Sequence, residues 1–320
     1  MMRRNRLVLA TALCFLLPNF LGFLVFTFFP VLFSLGAAFT NWNLMKTVSF
    51  QWVGMGNFMK LFTDHEFWLY FINTIYFMLG MPVAIAASLF LAIILSQRLR
   101  GMVAYRTLFY LPSFTSGVAL LILWKALYNP NFGPINVIIE SVLQWLHLGH
   151  IEPPTWLSST KNLLALSAER VGIVASQFGL GARDAIIIMG IWTAAGGGNM
   201  LLYLAGISNI PPELYEAAAI DGAGRWAQFR HVTWPQLAPT TFFIVIMSVI
   251  GGLQGGFEQA RVMTLGGPAG TTTTLSYYIY TKAFEEFQIG YASAVAWVLF
   301  TIVFAITLVN WRFGSRYVNE

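Results

Sequence analysis

Apolar residues run almost without interruption from Leu7 to Phe39, directly behind Arg3, Arg4 and Arg6. Counting the first as about 10–39, the other apolar stretches fall at roughly 67–96, 104–128, 184–207, 238–262 and 289–311. Each is long enough for a helix to cross a hydrocarbon core, which takes about 20 mostly apolar residues. The pattern predicts an all-α, polytopic membrane protein with about six transmembrane helices. A secretory leader competes for the first stretch, but such leaders hold an apolar core of only about 7–15 residues and close with a small-residue cleavage site. This run is far longer and lacks an early site. It is expected to be a retained span behind a short cytoplasmic N-terminal segment, 1–9, with the transmembrane body of the chain at 10–320.

Charge orients the spans, because Arg and Lys in short loops favour the cytoplasmic side. With both termini inside, the cytoplasmic segments hold ten basic residues: Arg3, Arg4, Arg6, Arg98, Arg100, Arg106, Arg225, Arg230, Arg312 and Arg316. Only Glu213, Glu216, Asp221 and Glu320 oppose them there. The net charge of +5 needs no nucleic-acid partner once this sorting is recognised. Composition agrees: 57% hydrophobic and 10% charged residues could not cover a soluble domain of this size.

Two polar segments interrupt the rhythm. The outer one, an insert at 129–183, is punctuated by Pro153 and Pro154. It contains an amphipathic stretch, Val137–Leu148, expected to lie along the membrane surface. Asn162–Val174 is a further candidate outer helix. The inner segment, 208–237, carries the chemistry discussed below.

Catalytic and metal motifs are missing from the sequence. No Lys follows a Gly, so there is no phosphate-binding loop and no ATP motor of the usual kind. His147 and His150 have no carboxylate or Cys to complete a metal site, and Gly54-x-Gly56 reads as a turn. The single Cys14 excludes an internal disulfide. Nothing positive points to an enzyme.

The inner segment reads as a helix–turn–helix. Ser208 or Asn209 can cap its first helix, and Pro211 or Pro212 suits the opening turn. Glu213 and Glu216 favour the positive helix end, and Ala217, Ala218 and Ala219 give a slim face. Asp221-Gly222 turns the chain, since Gly222 accepts a positive φ. A second short helix places Trp226, Phe229 and Val232 on one face, and Pro235 and Pro239 end it and start the next span. Such an elbow can dock into a partner's groove or merely brace the spans, and the residues alone leave both readings open.

The same stretch, Glu216-Ala217-Ala218-x3-Gly222-x9-Val232-x-Trp234-Pro235, resembles the EAA loop of binding-protein-dependent ABC importer permeases, with Val and Trp where that pattern has Ile and Leu. Further motifs are similar to the carbohydrate branch of that family, the maltose, multiple-sugar and glycerol-phosphate group. They are Phe109-Tyr-Leu-Pro112, Trp124 with Asn129-Pro-x-Phe-Gly133, Ile210–Glu216, Leu265-Gly-Gly-Pro268, Tyr278-Ile-Tyr280 and Gly290–Ala294. The resemblance implies a type I importer permease in a bacterial or archaeal cytoplasmic membrane. It implies a heterodimer with a second permease, two ATPase subunits holding ATP and Mg2+, and an extracytoplasmic solute-binding protein. No cofactor is expected on this chain. Glu216, Ala217, Ala218, Asp221, Gly222 and Pro235 would form the ATPase-coupling site.

For the solute path, polar groups inside spans are the natural candidates, because they are costly in lipid and face cavities. Asn199 and Tyr203 share a helical face beside Gly196-Gly197-Gly198. Gln254 and Glu258, also four apart, are expected to share another. Amides, hydroxyls and aromatics suit sugars. A Gly-rich helix contact in which Asn199 satisfies backbone, or Glu258 pairing with Arg261, remains open, as does a non-sugar solute such as an amino acid, polyamine or phosphate ester. A polytopic enzyme or scaffold is the reading from another class.

Overall fold

The computed structural model describes the backbone of every residue except 1, 46–48, 98–100, 116, 166–176 and 319–320, and side chains outside 2–12 and 313–318 as well. Arg98, Arg100, Glu320 and most of the candidate helix Asn162–Val174 lie outside the described residues, as do the side chains of Arg3, Arg4, Arg6 and Arg316. At the start of that candidate helix, Asn162 instead forms a parallel bridge to Phe178.

Among the described residues four helices are long and apolar enough to cross a membrane: Leu13–Ala38, His65–Leu95, Ala182–Ser208 and Ile289–Arg312. Two bent pairs, Met102–Phe114 with Gly117–Leu127 and Arg225–Gln236 with Ala238–Gln254, raise the count to as many as six when each pair is taken as one span. In chain order these are the first to sixth spans. The described residues contain no extended strand, only isolated bridges such as Thr40 to Trp52.

The chain divides into two compact units. One comprises Met1–Asp64 and Ile279–Val298. Its first span is almost wholly exposed, as a lipid-facing or subunit-facing helix would be. Beyond Ala38 the chain folds back: Phe39 stacks on Trp52, and Asn57 Nδ2 donates to the Ala38 and Thr40 carbonyls at 2.8 Å each. The first satisfies a carbonyl that the helix end leaves without a partner, and the second holds the chain just beyond it. Gly54, with a φ of 54°, makes the turn expected of it.

The second unit, His65–Tyr278 with Leu299–Glu320, carries the second to fifth spans. Two apolar clusters hold it, one towards each end. On the insert side Leu120, Leu121 and Trp124 of the third span pack with Ala185, Ile186 and Met189 of the fourth, and with Trp156 of the insert. On the elbow side Leu89, Ala92 and Leu95 of the second span meet Met200 and Leu204 of the fourth, with Leu237 and Ile244. The end of the second span is closed by Arg106, whose Nε and Nη2 donate to the Leu95 carbonyl at 3.0 and 2.6 Å. A cation at a helix C-terminus also complements the dipole there.

The described part of the insert is held by a buried polar contact. Trp156 Nε1 donates to Asn136 Oδ1 at 2.6 Å, and both residues are buried. The amphipathic stretch forms a helix, Pro134–Trp145, with Ile135 and Ile139 against the insert-side cluster and Ile138, Val142 and Trp145 exposed.

One predicted boundary fails. The fifth span was expected to continue to 262, but its helix stops at Gln254. Gly255 is extended and Gly256 has a φ of 85°, a conformation that breaks an α-helix and that glycine adopts without a Cβ penalty.

Candidate functional site

The elbow forms as a helix, Pro212–Ile220, whose first position is Pro212, with Pro211 as its N-cap. Ser208 and Asn209 belong instead to the end of the fourth span, so the cap expected of them falls to a proline. The C-terminus closes tightly. Gly222 N–H donates to Ala219 O at 3.1 Å and Ala223 N–H to Ala218 O at 2.9 Å. With Gly222 at a φ of 77° this is a Schellman turn, which uses carbonyls the helix would otherwise strand.

The second elbow helix differs from its expected course. Arg225–Gln228 runs into a π turn, Phe229–Thr233, and on through Trp234–Gln236. Pro235 therefore does not end the helix; the bend of 64° falls after it, between Gln236 and Ala238. A wide turn before a proline relieves the clash between its ring and the preceding carbonyls. The extra residue also rotates the aromatic face. Phe229 lies 5.4 Å from Trp226 and 6.4 Å from Trp234 between ring centroids, so Trp234 takes the place predicted for Val232.

Tyr215 ties the two elbow helices together through a 2.9 Å hydrogen bond with Thr233 Oγ1. Glu213, Glu216, Ala217, Ala219 and Asp221 are exposed, and Ile220 and Trp226 are 87% and 71% exposed. Tyr215→Phe keeps the ring and loses the bond. The expected cost is about 0.5–1.5 kcal/mol, read as a lower unfolding temperature of the assembled protein with uptake only partly reduced.

The second feature is a cavity of about 370 Å³ between the second, fourth and fifth spans. Beside it the α-helical bonding of the second span lapses between Phe77 and Gly80, that of the fourth lapses at Gly196–Gly197, and the fifth ends before Gly255–Gly256. Helices His65–Phe77 and Ala182–Ala195 place their breaks about 20 Å from the insert-side ends, at 1.5 Å per residue. Broken spans at mid-depth are tolerated where backbone lines a cavity and are typical of transport sites. The lining includes Phe77, Met78, Asn199, Ser248, Gly251 and Gln259.

The four predicted path residues are thus separated. Asn199 lines the cavity. Tyr203 shares its face but lies one turn further towards the elbow, fully buried among Leu89, Met200 and Leu237, where the apolar cluster has already closed the space. Gln254 and Glu258 do not share a helical face, because the Gly255–Gly256 break lies between them. Neither lines the cavity. Glu258 lies against Gly117, the first residue of the second half of the third span: a Cβ there would stand 2.8 Å from Glu258 Oε2. A carboxylate suits that helix N-terminus.

Sequence reasoning missed a buried polar hub at the insert-side end. Arg183 and Asp184 are 1% and 2% exposed. Arg183 Nη2 donates to Asn73 Oδ1 at 2.6 Å and its Nε to Thr271 O at 3.0 Å. Tyr76 Oη donates to Asp184 Oδ1 at 2.6 Å. The available signal was an Arg-Asp pair opening an apolar run, since ionised groups at membrane depth are rare without a role. Among the described residues no cluster of His, Cys, Asp and Glu could hold a metal.

Residues 75–314 match the family model of the binding-protein-dependent transport system inner membrane component. The probable ABC transporter permease protein YesP of Bacillus subtilis (strain 168) is 34% identical over 95% of this chain and 90% of its own. The lactose transport system permease protein LacF of Rhizobium radiobacter is 32% identical over 89% and 88%. Among solved structures, a chain of a bacterial ABC transporter involved in the import of the acidic polysaccharide alginate superposes with a TM-score of 0.75 and 26% identity, covering 98% of this chain and 97% of that one.

Proposed function

Because the chain belongs to the family of binding-protein-dependent transport system inner membrane components, we propose how its elbow and cavity work together. It is the permease subunit of an ABC importer for sugars. The elbow side faces the cytoplasm, in keeping with the basic residues collected there. The partners are a second permease, two ATPase subunits that bind ATP and Mg2+, and a solute-binding protein on the opposite face. Glu216, Ala217, Ala218, Asp221 and Gly222 present the docking helix to an ATPase groove, and Pro235 lies on the second elbow helix, which leads into the fifth span.

One observation carries this reading: the elbow joins the fourth and fifth spans, and both contribute wall to the cavity through Asn199, Ser248 and Gly251. Moving the elbow moves two sides of the same space. Asn199 and Gln259 offer amides, Ser248 a hydroxyl and Phe77 an aromatic ring, the groups with which a protein holds a sugar. Binding energy for the motor comes from Ile220 and Trp226. Burying a side chain such as Ile220 contributes about 1.5–3 kcal/mol, so Ile220→Asp is expected to weaken co-purification of the ATPase subunit at least about tenfold. Undiminished co-purification would remove this face from the interface.

A further inference from the structure

We propose that Asn73 and Arg183 are positioning residues for the cavity: through the loop Gly266–Thr274 they hold the Gly255–Gly256 break that forms part of its wall. The inference rests on the proposed solute path for its importance to transport, but its geometry stands independently of it.

The chain of contact has three links. Arg183, anchored on the fourth span, donates to Asn73 on the second and to the Thr271 carbonyl. Asn73, 0% exposed, spends both amide hydrogens on the loop, donating to Gly270 O at 2.8 Å and Thr273 O at 2.9 Å. The loop is stiff in itself, because Thr272 Oγ1 donates to Gly267 O at 2.9 Å and Thr273 Oγ1 to Gly266 O at 3.2 Å. The loop and the helix that follows it, Leu275–Tyr280, then meet the break directly. Ser276 Oγ donates to Gln254 O, and Thr274 fills the space beside Gly256 so closely that a Cβ there would lie 2.4 Å from Thr274 Cγ2. Gly255, Gly256 and Gln259 are cavity wall.

A brace alone would not require this chemistry. Well-packed apolar side chains could hold these spans together at less desolvation cost than a buried guanidinium. Directional bonds to three loop carbonyls instead fix where the loop stands. The carbonyls of Gly270, Thr271 and Thr273 are met by donors from two different spans. The wall of the cavity is consequently set from the insert-side end, remote from the elbow.

Asn73→Asp tests this with little collateral loss. The carboxylate still accepts from Arg183, but both donors to the loop are gone. Thr274→Ser removes only the methyl that backs Gly256, and it serves if the first variant fails to assemble. Both are made in a Cys14→Ser, Ser248→Cys background, assembled with the second permease and the ATPase subunits. The rate of N-ethylmaleimide labelling is compared with that at a control thiol, Ala219→Cys, on the exposed elbow helix. Labelling at Ser248→Cys is expected to change at least about twofold, the low end of what losing a hydrogen bond does to a local equilibrium, while the control holds. No change at Ser248→Cys in both variants, or an equal change at both thiols, overturns the proposal. The assay reads cavity shape whether or not solute passes through it, so failure here is distinct from failure of the solute-path reading.

Discussion

Gly222→Val is expected to detach the permease from its motor while leaving it in the membrane. A Cβ at Gly222 would meet nothing within 4 Å, so the substitution is not a steric clash. Its effect is on the backbone: the φ of 77° lies in the left-handed region, where a β-branched residue costs on the order of 1–3 kcal/mol. That cost is relieved by opening the turn, which releases the Gly222 and Ala223 bonds to Ala219 and Ala218 and unravels the end of the docking helix. Ile220, two residues away, then loses its fixed position. Because about 1.4 kcal/mol is a factor of ten in an equilibrium, ATPase co-purification should fall at least about fivefold, with uptake reduced in step. Gly222→Asn, which tolerates the left-handed region, should retain most of both. Normal assembly and uptake in Gly222→Val would refute the docking role of the turn.

Gly251→Leu is expected to block transport in a complex that still assembles. Gly251 lies within the helix Ala238–Gln254, lines the cavity and has open space where its Cβ would be. The leucine therefore enters the cavity rather than the packing. Replacing a helical glycine with leucine favours the helix by up to about 1 kcal/mol, so stability should be kept or raised. Uptake is expected to drop at least about tenfold with basal ATPase activity retained, as when an obligatory route is filled without touching the motor. Gly252→Leu makes the contrast. A Cβ there stands 3.1 Å from Met78 Cγ, so that variant should lose stability as well as uptake. If Gly251→Leu transports normally, the cavity is not on the route.

These two glycines were unequally legible in the sequence. Gly222 could be read because its surroundings are local: two prolines start a helix, three alanines continue it, and Asp-Gly ends it. Everything that fixes the turn lies within a few residues. The six spans were legible for the same reason, as length and hydropathy are local properties. The cavity was not: Gly80 and Pro82 mark the break after Phe77, but no local pattern says that it stands beside the ends of two other helices. Gln254 and Glu258 show the cost of assuming an unbroken helix: a four-residue spacing puts side chains on one face only while the helix continues, and Gly255–Gly256 stops it. Tyr203 shows a different limit. Its face was read correctly, but whether a face meets a cavity or a core depends on the neighbouring span. Arg183 and Asn73 lie 110 residues apart, and no periodicity in either segment announces their contact.

The most direct test of the account is whether nucleotide reaches the cavity through the elbow. Maleimide labelling of Ser248→Cys, in the Cys14→Ser background of the complete complex, is measured without nucleotide and after trapping with ATP and vanadate. Trapping should change the labelling rate when the elbow is intact and leave it unchanged when Gly222→Val is present. An equal response to nucleotide in both would mean that the motor acts on the cavity by some route other than this turn.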